Sequence, residues 1–301
     1  MPETVVECDN ITHKYGDRTI YEGLSFKIEE GQTLGLLGKN GTGKTTIINI
    51  LNGFLTPTAG RCTIWGEESG SLSAATKARI GLQLEMHVQH SYFDVHQIER
   101  FYSRFFKKWN ADAYYDLISR LRIGEHQRIS TMSCGQRSQV ALGLIMAQDP
   151  DLLILDDFSM GLDPGYRRLF VERLQDFAAP QSGKPAKTIF LTSHIIQDME
   201  RLITHCMVFD YGRVICQMPT EKLLRTFHRY TFRTEAETVK ATATLLNPER
   251  TQPRTDWRLW EVYSFGTEDD VREQLGEYHP QDMRMEELNL QDAFIGLTGK
   301  Y

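Results

Sequence analysis

Eight consecutive residues carry the clearest chemistry in the sequence. Gly38-Lys39-Asn40-Gly41-Thr42-Gly43-Lys44-Thr45 fits G-x-x-x-x-G-K-[ST] with no departure. Glycines at these positions let backbone N–H groups turn inward around phosphate oxygens, and a helix N-terminus behind them favours anions. Lys44 is then placed for β- and γ-phosphates, and the Thr45 hydroxyl for Mg²⁺. A second set is Leu152-Leu153-Ile154-Leu155-Asp156-Asp157, an apolar strand that delivers two carboxylates at its C-terminal end. Open α/β sheets place ligands at that end. Asp156 reads as a Mg²⁺ partner and Asp157 as the group that orients an attacking water; the plainer reading is a pair of surface acids. A third set, Met132-Ser133-Cys134-Gly135-Gln136, precedes an apolar run. Ser133 and Gln136 make an S-x-x-Q capping box. This is either only a well-capped helix or also an anion site at a helix N-terminus.

The elements that must position these residues alternate. Residues 4–8 and 25–28 read as strands around a polar turn at 15–18, and residues 32–37 as a Leu-rich strand entering the glycine loop. A helix over 44–52 follows, with Ile47, Ile48 and Leu51 at helical spacing, Gly53 suited to its end and Pro57 barring continuation. Residues 86–129 read as helical and aromatic-rich. The spacing of Phe101, Phe105, Phe106, Trp109 and Tyr115 marks a mostly buried face. Short buried strands return at 152–156, 188–192 and 207–209, with helices between them, which predicts a parallel sheet covered on both faces. Beyond about residue 220, strands at 230–234 and 257–265 flank a Pro-bearing polar connector at 247–255. Helices at 268–277 and 290–298 complete a small α+β appendage.

Composition narrows the functional classes. The 301 residues are 41% hydrophobic and 25% charged, ordinary globular values that exclude disorder for most of the chain. A net charge of −6 argues against a nucleic-acid binder, which carries a basic excess. No apolar run approaches the ~18 residues of a spanning helix. The first residues are acidic, so no signal peptide is expected. Five cysteines without C-x-x-C spacing argue against a disulfide framework or structural zinc and suit a reducing cytosol. His87, His90 and His96 lack supporting ligands at metal-binding offsets.

Taken together, the chain resembles the ATP-binding cassette ATPases, the motor subunits of ABC transporters. The resemblance covers about residues 3–220 and six motifs in the family's order. Tyr15, in Lys14-Tyr15-Gly16, matches the aromatic that stacks on adenine. Residues 38–45, with Thr46 beside them, are the phosphate loop, and Met132 to Gln136 are similar to the signature LSGGQ. Asp156 and Asp157 close the Mg²⁺ strand. Gly161-Leu162-Asp163 resembles the loop that crosses between subunits, and His194, after Leu191-Thr192-Ser193, resembles the switch histidine that senses the γ-phosphate. The resemblance implies a P-loop α/β cassette at residues 1–220, with a parallel core sheet and an antiparallel β subdomain. It also implies an inserted helical subdomain at about 86–145, and residues 221–301 form the appendage. It implies ATP and Mg²⁺ held between two cassettes packed head to tail, a homodimer or a pair with a second cassette. Ser133, Gly135, Gln136 and Asp163 would then serve the partner's nucleotide. It further implies a separate membrane permease docked by helix-in-groove packing at the aromatic segment, and a place on the inner face of the membrane. Residues 285–299 resemble the closing segment of ATPases from exporters.

Three positions depart from the family. The usual catalytic glutamate is Asp157, one methylene shorter: either hydrolysis is slow or a small shift restores reach. Glu85 stands where a glutamine usually links γ-phosphate and Mg²⁺, a place from which it could still ligate Mg²⁺ or hold the water, with Gln83 two residues earlier as the alternative register. Cys134 replaces a signature glycine, either as a tolerated small residue or as a side chain that crowds the phosphate. Two functions follow, an ATP-hydrolysing exporter motor or a weakly hydrolysing regulatory subunit paired with a competent cassette.

Overall fold

The structure, a computed structural model, describes residues 3–84, 90–121, 123–124, 126–159, 161–180, 186–193, 195–252 and 258–299. The chain divides into two units between Val214 and Ile215; the sequence reading sets that boundary near residue 220.

In the first unit, β1 (Thr4–Tyr15) and β2 (Arg18–Glu29) form a hairpin across Gly16-Asp17, with Tyr15 opposite Arg18. Both strands run well beyond the segments expected from apolar residues alone, because pairing continues past exposed positions to the buried Ile11 and His13 on β1 and Tyr21 and Leu24 on β2. β3 (Thr33–Gly38) enters the glycine loop, and α1 (Lys44–Leu51) leaves it. β4 (Ala59–Ile64), β5 (Glu67–Glu68) and the short α2 (Ala74–Lys77) lead to β6 (Ile80–Gln83). Three helices follow: α3 (Val95–Tyr102), α4 (Ala111–Ser119) and α5 (Cys134–Ala147). Then come β7 (Leu152–Leu155), α6 (Pro164–Ala178), β8 (Thr188–Thr192), α7 (Ile196–Glu200) and β9 (His205–Asp210).

The strands separate into two sheets. One is antiparallel, in the order β2–β1–β4–β5. The other carries β9–β3–β8–β7–β6, all parallel. β7 and β8 are buried at every residue, as a sheet covered on both faces requires. Parallel register brings the C-terminal ends of β3, β7 and β8 to one edge: Leu36 lies opposite Thr192, and Leu155 opposite Leu191. The residues just past those ends are Lys39, Asp156 and Ser193. A core of fully buried side chains, including Leu34, Leu36, Ile47, Ile154 and Phe190, holds this edge in place. Truncating one such leucine to alanine costs about 2–5 kcal/mol.

The helical cluster has its own core around Tyr114, whose hydroxyl donates to Val95 O at 2.8 Å. The aromatic face expected from spacing is not continuous. α3 ends at Tyr102, so residues 103–110 leave helical phase; Phe105 is 66% exposed, and Phe101, Phe106, Trp109 and Tyr115 are half-buried.

β10 (Arg213–Pro219) spans the division of the chain. The second unit contains α8 (Thr220–Thr226), β11 (His228–Thr234), β12 (Leu246–Gln252), β13 (Arg258–Ser264), α9 (Glu268–Gln274), β14 (Gln281–Glu286) and α10 (Leu290–Thr298). Its antiparallel sheet has the order β12–β13–β11–β14. Part of the expected polar connector is therefore a strand. β12 is an edge strand, where Pro248 needs no ladder donor and the register shifts between Leu246 and Glu249. β14 escapes the sequence reading because only Met283 on it is buried. α10 buries Leu290, Ala293, Phe294 and Leu297, the face that its spacing predicts.

Candidate functional site

The glycine loop closes on itself through side chains. Gly43 is the N-cap of α1, with φ 103°, and a Cβ there would sit 2.5 Å from Tyr21 Oη and 2.6 Å from Ile20 Cγ2. Only glycine suits this position. The Tyr21 hydroxyl donates to Gly43 O, and burial pushes its pKa up, so it stays a neutral donor. Thr42 Oγ1 donates to Lys39 O at 2.9 Å. Lys44 is 9% exposed; its Nζ donates to Gly38 O at 2.7 Å and Lys39 O at 3.0 Å. The ammonium therefore lies along the inside of the loop. Burial lowers the Lys44 pKa below the ordinary lysine value, and the charges of Asp157 and Asp156 partly offset that.

Asp156 and Asp157 are both buried at the end of β7. Asp156 N donates to Gln83 O at 2.8 Å. Thr192 Oγ1 donates to Asp156 Oδ1 at 2.8 Å and accepts from Asp157 N at 2.8 Å. A cleft of ≈ 420 Å³ gathers Tyr15, Asn40, Gly41, Gly43, Lys44, Thr45, Thr46, Asp156 and Asp157. The cleft also takes in Arg18, Ile20, Thr192 and Ser193, which the motif reading leaves aside. Arg18 follows Tyr15 across a two-residue turn, a signal present in the sequence; Thr192 and Ser193 reach the cleft through the parallel pairing of β8 with β7, which belongs to the fold. Tyr15 is 49% exposed and packs edge-on against His13, leaving ring surface for a planar ligand. Gly38 and Thr42 build the loop without lining the cleft.

The residues that resemble a signature stand elsewhere. Ser133 is the N-cap of α5: Gln136 N donates to Ser133 Oγ at 3.2 Å, and Ser133 N to Gln136 Oε1 at 2.9 Å. Gly135 is buried, and a Cβ there would lie 2.5 Å from Tyr166 Cδ2. Cys134 is exposed. Asp163 caps α6, accepting from Gly165 N at 2.9 Å and Tyr166 N at 3.1 Å. None of Ser133, Gly135, Gln136 and Asp163 lines the cleft of its own chain. Glu85 and His194 lie outside the described residues, as does His87. Among the described residues no cluster of His, Cys, Asp and Glu forms a metal site of protein groups alone. No helix among them is long and apolar enough to cross a membrane.

The oxygen donors present fit Mg²⁺, a hard cation that takes one or two protein oxygens and shares the rest with water and phosphate. They are the buried Asp156 carboxylate and the Thr45 hydroxyl in the same cleft.

A family profile described as ABC transporter matches residues 21–159. The Nod factor export ATP-binding protein I of Paraburkholderia xenovorans (strain LB400) is 33% identical over 222 residues, 72% of this chain and 71% of that protein. A solved ATP-binding subunit of an ABC transporter superposes with a TM-score of 0.64 at 22% identity, over 73% of this chain and 92% of that one. A dimeric ATP-binding cassette in a post-hydrolysis state, bound to ADP and Pi, gives a TM-score of 0.61 at 18% identity, over 71% of this chain and 98% of that one. These structural likenesses establish the fold, and the curated relative establishes the family. On that evidence the chain belongs to the ABC transporter family, as an ATP-binding ATPase subunit.

Proposed function

We propose that this chain binds ATP with Mg²⁺ in the cleft and hydrolyses it to drive a separate membrane permease, in the direction of export. The observation that carries the reading is Lys44, buried within its glycine loop and facing the electrostatic influence of Asp156 and Asp157 in one cleft. Lys44 trades its carbonyl partners for β- and γ-phosphate oxygens and neutralises their charge. The N–H groups at the start of α1 bind the same oxygens. Asp156 and Thr45 hold Mg²⁺, which when bound screens the triphosphate. Asp157 orients the attacking water and takes its proton, a role typically worth ~10²–10⁴ in rate.

The signature helix serves a second copy, or a paired cassette. Its N-terminus is exposed and lies outside its own chain's cleft, and the dimeric cassette among the structural neighbours supports this reading. ATP then acts as interfacial glue that hydrolysis removes. A groove of ≈ 470 Å³, lined by Ala74, Ala75, Ala78, Phe105 and Phe106 together with the charged Arg79, Lys107, Lys108, Asp149 and Asp151, suits an amphipathic helix of the permease. Docked in this way, the chain lies against the inner membrane face. The word export in the curated relative's name, and the closing segment at 285–299, support the direction.

The test is turnover and assembly together. Wild-type protein should hydrolyse ATP only with Mg²⁺, and Lys44→Ala should reduce turnover by more than ~10²-fold. Hydrolysis-blocked protein saturated with ATP should elute as a dimer. A lone subunit under those conditions, even beside its permease, sinks the interfacial mechanism.

A further inference from the structure

The motif reading gives Thr192 no task, yet its side chain is tied to both carboxylate-bearing residues. Thr192 is 1% exposed. Its hydroxyl donates to Asp156 Oδ1 and accepts the Asp157 N–H, both at 2.8 Å. A threonine hydroxyl has one proton and two lone pairs, so one group makes both bonds. The parallel register explains the geometry. Leu155 lies opposite Leu191, so the chain beyond β7 passes Thr192 where the backbone ladder stops. The hydroxyl supplies the next rung. On the other flank, Asp156 N is fixed by Gln83 O at 2.8 Å.

Asp157 turns at this point with φ 45°. Aspartate enters the left-handed region more readily than most residues with a Cβ, and its neighbours hold it there. The bond from Asp157 N to Thr192 is one such determinant, and it sets the direction in which the Asp157 side chain leaves the backbone. Aspartate has a short reach, so its carboxylate follows its backbone closely.

We infer that Thr192 is the positioning residue of the carboxylate pair. Its hydroxyl orients Asp156 toward the metal and fixes the backbone from which Asp157 reaches the water. This rests on the proposed hydrolysis of ATP at the same cleft.

The test uses the full chain with Thr192→Val, which keeps the shape and removes the hydroxyl, and Thr192→Ser, which keeps the hydroxyl. Thr192→Ala repeats the loss without the branched side chain. In Thr192→Val, kcat should fall by about 10- to 100-fold while the KM for ATP stays within about threefold. The Mg²⁺ concentration needed for tight ATP binding, read by calorimetry at stepped Mg²⁺, should rise by about tenfold, because an ill-aimed carboxylate ligand weakens the metal. Thr192→Ser should stay near wild type in both measurements. Wild-type kcat and Mg²⁺ dependence in the Val or Ala variant would overturn the inference, as would a Ser variant as impaired as Val. The Mg²⁺ titration reads Asp156 without turnover, so a wild-type protein that binds ATP but does not hydrolyse it still decides the matter. A wild-type protein with no Mg²⁺-dependent ATP binding at all overturns the proposed function, and this inference with it.

Discussion

α1 and α5 both begin within glycine-bearing motifs, but their first turns treat the backbone differently. Every helix start leaves four N–H groups without an intrahelical acceptor. At α1 the N-cap is Gly43, and no side chain caps the turn. Its donors are left to the cleft that Lys44 and the two aspartates border. At α5, Ser133 and Gln136 satisfy one another in a complete capping box. The comparison separates two ways of meeting a phosphate. α1 offers backbone donors and a buried ammonium within one chain. α5 commits the Gln136 N–H to its own cap and can still offer a side-chain donor: Ser133 Oγ accepts from Gln136 N, and its own proton remains to donate. A phosphate brought by another copy can take that proton without breaking the cap. The first site should bind nucleotide alone, and the second should matter only once two chains meet.

The largest effect expected from breaking this pairing lies at Asp157. Asp157→Asn removes the base and leaves α1 intact. Steady-state hydrolysis should fall by ~10²–10⁴ while ATP affinity by calorimetry stays within a few-fold. The ATP-held dimer should outlive that of the wild type in size-exclusion experiments. Turnover that survives the substitution would remove Asp157 from the role of base. A smaller effect is expected at Ser133. Ser133→Ala deletes the cap, so urea unfolding should show a loss of about 1 kcal/mol. Hydrolysis should drop by about tenfold, the worth of one charge-assisted hydrogen bond, with ATP affinity of the isolated chain unchanged. If that affinity falls as well, Ser133 acts on its own chain's nucleotide and the contrast between the two helices is lost.

Much of this was legible from residue order. The glycine loop, the apolar strand ending in Asp156 and the S-x-x-Q cap are local patterns, and each appears where its spacing predicts. Convergence was less legible, because register belongs to pairs of strands. Nothing in Leu191-Thr192-Ser193 says that Thr192 will lie beside Asp156 until β7 and β8 are known to be neighbours. The aromatic segment misleads for a related reason. Spacings of three and four mark a buried face only within one helix, and the chain leaves α3 after Tyr102, so Phe105 turns out to solvent. In the second unit, β12 and β14 are edge strands that bury little, and alternation of apolar residues has little to report there. Glu85 and His194 fall outside the described residues, so their expected roles rest on the motif resemblance alone.

The smallest effect sharpens the α1 side of the comparison through pH. Burial lowers the Lys44 pKa below the ordinary lysine value, with Asp157 and Asp156 opposing the shift. A bound triphosphate favours the ammonium, so the Lys44 pKa is higher in the complex than in the free protein. Binding therefore takes up a proton once the free lysine begins to lose its own, and ATP affinity should fall as pH rises through the free-protein pKa. The loss is at most tenfold for each pH unit, since one pKa unit corresponds to ~1.4 kcal/mol. It should begin at lower pH than an unperturbed lysine would allow. Lys44→Arg, whose guanidinium stays charged throughout, should flatten the profile even where it weakens binding. Calorimetric affinities at Mg²⁺ saturation, from neutral to alkaline pH, make the comparison. If wild type and Lys44→Arg decline in parallel, the ammonium is not what grips the phosphates, and the uncapped N–H groups of α1 carry the affinity by themselves.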